Sequence, residues 1–204
     1  WEISAPRSIV ANFEPTTLAG DEFRFQIQSR AINGRALTIG GGVFNVELKG
    51  QSYEQAQMID SQDGWYSSMF RPTISGHYVV SIVQNPWAKA VGNSPLALHV
   101  LPQRYACADQ SMAAAKQDST GSVGQYKHVP IVLRDCFGNT IIDPDYHAMD
   151  VFVAAQTPTN LQVSFAGSGT VSPTMRLFST LSGRFQFNIL LNRTALKGMP
   201  FTAS

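Results

Sequence analysis

Chemistry needs side chains that can converge, and few stretches of this chain offer them. Asp143-Pro144-Asp145-Tyr146-His147 sets two carboxylates and an imidazole within five residues. Such a group could hold a metal ion or run acid–base chemistry. The plainer reading is a solvated loop in which Pro144 sets a turn. Asp60 and Asp63 form a second acidic stretch, and turn-forming aspartates account for it. His77 stands beside Tyr78 in an alternating run, where it faces water rather than a ligand; His99 and His128 also lie in strand-like runs. No cysteine–histidine spacing suits zinc. No Gly-x-Ser-x-Gly elbow or phosphate loop is present. Gly40-Gly41-Gly42 opens an extended run rather than a helix, so it prepares no helix N-terminus for an anion. The sequence therefore assigns no catalytic residue, no metal site and no cofactor, and the chain reads as a non-enzyme.

Other residues bear on compartment and partners. Cys107 and Cys136 are the two cysteines. They are either a disulfide, which implies an oxidising compartment, or two buried thiols of a β core. Asn192-Arg193-Thr194 is an acceptor sequon for N-glycosylation. Together with low Lys and Glu content it leans towards an extracellular chain. Trp1 and Trp87 lie outside strong alternation. Each either covers an end of the first domain, the reading favoured by sequence, or is an exposed anchor for a partner.

Composition narrows the classes. Charged residues make up 14% of the 204 and the net charge is +1, so no basic patch invites nucleic acid. No apolar run approaches the ~18 residues of a membrane span. The chain begins at Trp1 and ends at Phe201-Thr202-Ala203-Ser204 inside an extended run, and it reads as an excerpt of a larger protein.

The elements that would position these residues are strands. Phe23, Phe25 and Ile27 alternate, as do Phe44, Val46 and Leu48, and each period of two marks a half-buried strand. Trp65–Pro72 and Gly76–Ile82, joined by Thr73-Ile74-Ser75-Gly76, are expected to form a β-hairpin. Gln57-Met58-Ile59 is expected as a short strand, and Pro95–Leu101 as the last one before Pro102-Gln103-Arg104. Landmarks then recur at a spacing of roughly 105 residues: Gly20 with Gly124, Gly34 with Gly138, Gly76 with Gly183 and Pro95 with Pro200. The expected organisation is all-β, two tandem immunoglobulin-like β-sandwiches of about seven strands each. The first spans 1–102 and the second 103–204, with its last strand truncated.

These residues resemble the filamin-type immunoglobulin repeat. The first copy carries Ala19-Gly20, Gly41-Gly42-Val43-Phe44, Asp63-Gly64-Trp65-Tyr66, Gly76-His77-Tyr78 and Gly92-Asn93-Ser94-Pro95. The second carries Val123-Gly124, Arg134-Asp135-Cys136-Phe137-Gly138-Asn139, Gly183-Arg184-Phe185 and Gly198-Met199-Pro200. It departs at Ala148-Met149-Asp150, where the first copy has Gly-Gly, and at Val171-Ser172-Pro173-Thr174, where the first has Asp-Gly. The resemblance implies that another protein binds along a sheet edge or through loops. That edge falls at Val43–Leu48 with Gln57–Ile59 and at Val151–Ala155 with Gln162–Ser164. Its candidate contacts are Val43, Asn45, Glu47, Val151 and Val153. The implied role is adhesion in a surface or secreted protein, with gamete recognition as its sharpest form. The alternative is an intracellular cytoskeletal or ciliary rod. An accessory carbohydrate-binding domain is a third reading, kept open by Trp1 and Trp87.

Overall fold

The computed structural model describes residues 2–114, 118–119, 122–142, 151–155, 161–166, 173–180, 185–199 and 201–203. It divides into two compact units, Trp1–Leu101 and Pro102–Ser204, called domains 1 and 2 below. Both are built almost wholly of strands, as the alternating pattern requires. Among the described residues no helix is long and apolar enough to cross a membrane.

Domain 1 holds β1 (Ile9–Ala11), β2 (Thr16–Leu18), β3 (Phe23–Gln28), β4 (Phe44–Lys49), β5 (Tyr53–Asp60), β6 (Trp65–Phe70), β7 (Gly76–Gln84), β8 (Lys89–Ala90) and β9 (Leu96–Leu101). The hydrogen-bonded order is β1-β3-β6-β5-β4-β7-β9-β2, with β8 added to β7. One strand joins what would otherwise be two sheets. The first half of β5, Tyr53–Ala56, pairs with β4, and its second half, Gln57–Asp60, pairs with β6. Inward residues of both layers form a single core, including Phe23, Phe25, Ile27, Phe44, Val46, Leu48, Tyr66, Tyr78, Val80 and Ile82. Phe13, Phe23, Phe25 and Phe70 add ring contacts, among them an edge-to-face pair of Phe13 and Phe23 with centroids 5.3 Å apart.

Domain 2 holds β10 (Met112–Ala113), β11 (Asp118–Ser119), β12 (Lys127–Val132), β13 (Val151–Ala155), β14 (Leu161–Ala166), β15 (Thr174–Ser179), β16 (Phe185–Leu191), β17 (Thr194–Ala195) and β18 (Phe201–Ala203). One sheet runs β10-β12-β15-β14; the other runs β11-β18-β16-β13, with β17 on β16. Its core gathers Val129, Ile131, Leu133, Ile141, Met175, Leu177, Ile189, Leu191 and Leu196.

Two expectations about local structure change. Gln57–Ile59 is not a short strand but the middle of an eight-residue one. Trp65–Phe70 and Gly76–Ile82 are consecutive strands but not a hairpin: β6 pairs with β3 and β5, whereas β7 pairs with β4 and β9. The segment between them crosses from one layer to the other. β15 and β16 of domain 2 part in the same way, pairing with β12 and β14 and with β13 and β18.

Tyr78 fixes the crossover in domain 1. Its ring is buried, and its hydroxyl donates to the Ile74 carbonyl at 2.7 Å and lies 3.1 Å from Ser52 Oγ. This is the tyrosine corner of immunoglobulin-like sandwiches. Domain 2 has Phe185 at the matching position of the sequence, with no hydroxyl to offer. Gly64 fixes the turn into β6. Its φ of +88° lies in the left-handed region, and an added Cβ would collide with the Leu37 carbonyl oxygen. Its own carbonyl accepts from Ser29 N at 2.9 Å and Ser29 Oγ at 3.0 Å.

Two substitutions check these anchors. Tyr78→Phe is expected to lower the stability of domain 1 by about 1 kcal/mol, because the Ile74 carbonyl loses its donor in a part-buried site. Gly64→Ala is expected to cost at least about 2 kcal/mol through positive-φ strain and the clash. Denaturant unfolding monitored by tryptophan fluorescence reads both.

Candidate partner-binding surfaces

The sequence offered an acidic loop, two cysteines, a sequon, two tryptophans and two sheet edges. Asp143, Asp145, His147 and Trp1 lie outside the described residues. Among the described residues no group of three or more His, Cys, Asp or Glu side chains is placed to hold a metal ion. Asp60 and Asp63 serve the backbone. Asp60 takes the N–H groups of Gln62 and Gly41 at 2.8 and 2.7 Å, and Asp63 takes that of Trp65 at 3.0 Å.

The cysteines form a disulfide, Cys107–Cys136, with Cα atoms 5.0 Å apart. The bond reinforces a clasp that both domains share. In domain 1, Ser4 N donates to Arg30 O at 2.7 Å and Ser8 N donates to Ser4 O at 2.9 Å. Arg30 N then donates to the buried Ser8 Oγ at 3.1 Å. In domain 2, Cys107 N donates to Arg134 O at 2.8 Å and Ser111 N to Cys107 O at 2.9 Å. Arg134 N donates to the buried Ser111 Oγ at 3.0 Å. Each arginine returns Nη1 to a glycine carbonyl four residues on, Gly34 or Gly138, at 3.3 and 2.9 Å. By this correspondence Ser4 stands where domain 2 has Cys107, and Ile32 where it has Cys136.

Asp135, fully buried, adds a knot that domain 1 lacks, where Ala31 stands in its place. Its carboxylate accepts from Phe137 N and Asn139 N at 3.0 and 2.9 Å and from Asn139 Nδ2 at 2.9 Å. Gln103 N also donates to it at 3.0 Å, which ties the start of domain 2 to the turn that holds Cys136. Sequence reasoning quoted this aspartate as part of a motif and gave it no role. An Asp-x-x-Gly-Asn turn was the signal available.

The two expected edges differ. β4 is not an edge: it pairs with β7 on one side and, over Val46–Lys49, with β5 on the other. The expected contact edge is corrected at Glu47, because the chain's own β5 occupies that flank from Val46 onward. Val43 precedes the strand and passes its carbonyl to Asn85 N at 2.9 Å. Asn45 and Glu47 do point outward, and Glu47 meets Lys49 at 2.6 Å. Hydrogen bonding from Lys49 holds the Glu47 carboxyl below its ordinary pKa and in return raises that of Lys49.

In domain 2, β13 pairs with β16 and β14 with β15, and among the described residues neither pairs with the other. β13 ends one sheet and β14 ends the other. Val151 and Val153 lie opposite Leu191 and Ile189 on β16, and their backbones are what the edge exposes. Ile189 gives its N–H to Met199 Sδ at 3.4 Å and its carbonyl to Leu196 N at 2.9 Å, both on the side of β16 away from β13. Val153 and Ile189 are thus a non-hydrogen-bonded pair. The N–H and C=O groups of Val151, Val153 and Ala155 point to the open side.

Asn192 and Arg193 form an exposed two-residue hairpin turn between Leu191 and Thr194, with φ of 49° and 65°. Trp87 is 63% exposed in the turn before β8, so it does not cover the end of the sandwich.

Comparison with known proteins bears on the fold. No protein-family model matches the chain, and no curated protein does. Among solved structures, the Escherichia coli adhesin FdeC aligns with a TM-score of 0.57 at 16% identity, covering 100% of this chain and 66% of that one. Invasin, a bacterial integrin-binding protein, aligns with a TM-score of 0.58 at 15% identity, covering 99% and 40%. InvD of Yersinia pseudotuberculosis gives 0.51 at 15%, covering 98% and 57%. The chain thus spans 66% and 40% of the first two structures it resembles. At these identities the likeness is one of fold: tandem immunoglobulin-like sandwiches.

The clasp yields a paired prediction. Cys107→Ala with Cys136→Ala is expected to destabilise domain 2 by roughly 2–4 kcal/mol, the loop-closure value for a bridge of this span. Installing Ser4→Cys with Ile32→Cys is expected to bridge domain 1 and raise its midpoint. Calorimetry with and without reductant separates the two.

Proposed function

We propose that the chain is a non-enzymatic protein-binding module of a surface or secreted protein, and that domain 2 engages its partner by taking an extended strand along β13. The observation that carries this is the row of backbone groups at Val151, Val153 and Ala155, which have no partner among the described residues. A row of unpaired N–H and C=O groups is a template for strand addition. Backbone bonds would supply affinity and the alternating side chains of the incoming strand its specificity.

The disulfide supports a surface or secreted setting, since such bonds persist in oxidising surroundings. The sequon supports the same reading, because Asn192 stands exposed at a turn tip where a glycan meets no obstruction. The named roles of the two structural neighbours, an adhesin and an integrin-binding protein, are of the same kind. Recognition between cells, gametes included, is the finest form of the proposal and rests on the filamin-type motifs. One observation favours the alternative of a rod or scaffold for domain 1: β5 closes its corresponding flank, so domain 1 serves as a spacer.

Ala155→Pro tests the edge. It removes an N–H aimed at the open side and leaves the β13–β16 ladder intact. Beads carrying the full chain should bind cells or surface protein of the source, and the Ala155→Pro chain, folded by circular dichroism, should lose most of that binding. Undiminished binding by the variant would exclude the edge, and no binding by the parent chain would exclude adhesion. Peptide mapping of native protein should find a glycosylated Asn192; a bare asparagine there would favour the intracellular rod.

A further inference from the structure

The four histidines include two that the fold brings together. His77 on β7 stands directly opposite His99 on β9. The His99 N–H donates to the Pro15 carbonyl at 2.8 Å, on the side away from β7. The histidines are therefore a non-hydrogen-bonded pair, the kind in which opposed side chains approach most closely. Their rings lie face to face, with centroids 4.2 Å apart and planes 17° from parallel. His77 is exposed and His99 half-buried, both on the solvent face of the sheet. Among the described residues neither imidazole hydrogen-bonds to a protein group.

We propose that His77 and His99 form a two-nitrogen chelate for a divalent late first-row metal ion, with copper(II) bound most tightly and nickel(II) and zinc(II) less so. Imidazole is the ligand these ions favour, and the order follows the general series for nitrogen sites. Two metal–nitrogen bonds of about 2.0–2.1 Å need ring nitrogens roughly 3 Å apart. Stacked rings hold their in-plane lone pairs nearly parallel, so both side chains turn about χ1 and χ2 for two nitrogens to converge on one ion. Across this face the neighbouring positions carry Val79, Ala97 and Thr16, with Lys49 opposite Val79 on β4 and held by Glu47. The remaining coordination positions stay open to water or to a donor atom from a second molecule. This site belongs to domain 1 and β13 to domain 2, so it stands whether or not the edge binds a strand.

The test uses the untagged chain titrated with copper(II) or nickel(II) alone, followed by calorimetry and, for copper, by electron paramagnetic resonance. Expected are one ion per chain that depends on both histidines, a two-nitrogen signature, and a rise in the thermal midpoint of domain 1. His77→Gln and His99→Gln should each weaken that binding at least tenfold and lose the two-nitrogen signature. His128→Gln and His147→Gln should leave it unchanged. Both rings project from a solvent face, so circular dichroism should show all four variants folded. Equal affinity in His77→Gln and the parent chain, or loss of binding in His128→Gln or His147→Gln, would overturn the proposal.

Discussion

A buried serine hydroxyl closes the end of each sandwich. Ser8 and Ser111 take the N–H of an arginine that has just left a central strand, where the regular ladder gives way to single bridges, Arg30 with Ala36 and Arg134 with Thr140. Leaving such a buried donor unpaired costs about 1–3 kcal/mol. The serine also fixes the segment before it, because its own N–H reaches back to Ser4 or Cys107. β1 and β10 start from there. The disulfide and the Asp135 knot are additions to this arrangement, which domain 1 maintains without either.

The difference between the two flanks has a local cause in domain 1. For β5 to bridge the layers, the segment before β4 must run against the end of β5. Gly41 N bonds to Asp60 and Gly42 N to the Tyr66 hydroxyl at 2.9 Å, and an added Cβ at Gly40 would lie 2.5 Å from the Asp60 carboxylate. A side chain there would push that carboxylate aside. Burial keeps the Tyr66 hydroxyl protonated by raising its pKa, so it stays a neutral partner for Gly42. Domain 2 has Ala148-Met149-Asp150 in place of the glycines, and its two strands stay in separate sheets.

Much of the fold was readable because alternation reports directly on burial. Phe23, Phe25 and Ile27, or Phe44, Val46 and Leu48, announce both strand and inward face, and the structure buries all six. Pairing was another matter. Strands joined by a short connection can fold back as a hairpin or cross between layers, and Thr73–Gly76 carries no residue that decides between them; the Tyr78 hydroxyl, four residues beyond Ile74, does. The sheet-switching of β5 left no period to read. The facing of His77 and His99 was hidden entirely, since 22 residues and a short strand separate them and only the register of β7 and β9 sets them opposite.

Both domains place their first and last regions side by side in parallel: β2 runs with β9, and β11 with β18. When the two ends of such a domain are drawn apart, parallel neighbours slide along each other. The hydrogen bonds between them are then strained together, not unzipped in sequence. Thr16, Thr17 and Leu18 each have a partner on β9, and these rungs share the load at once. A domain joined in this way yields at a higher force than one whose end strands peel apart.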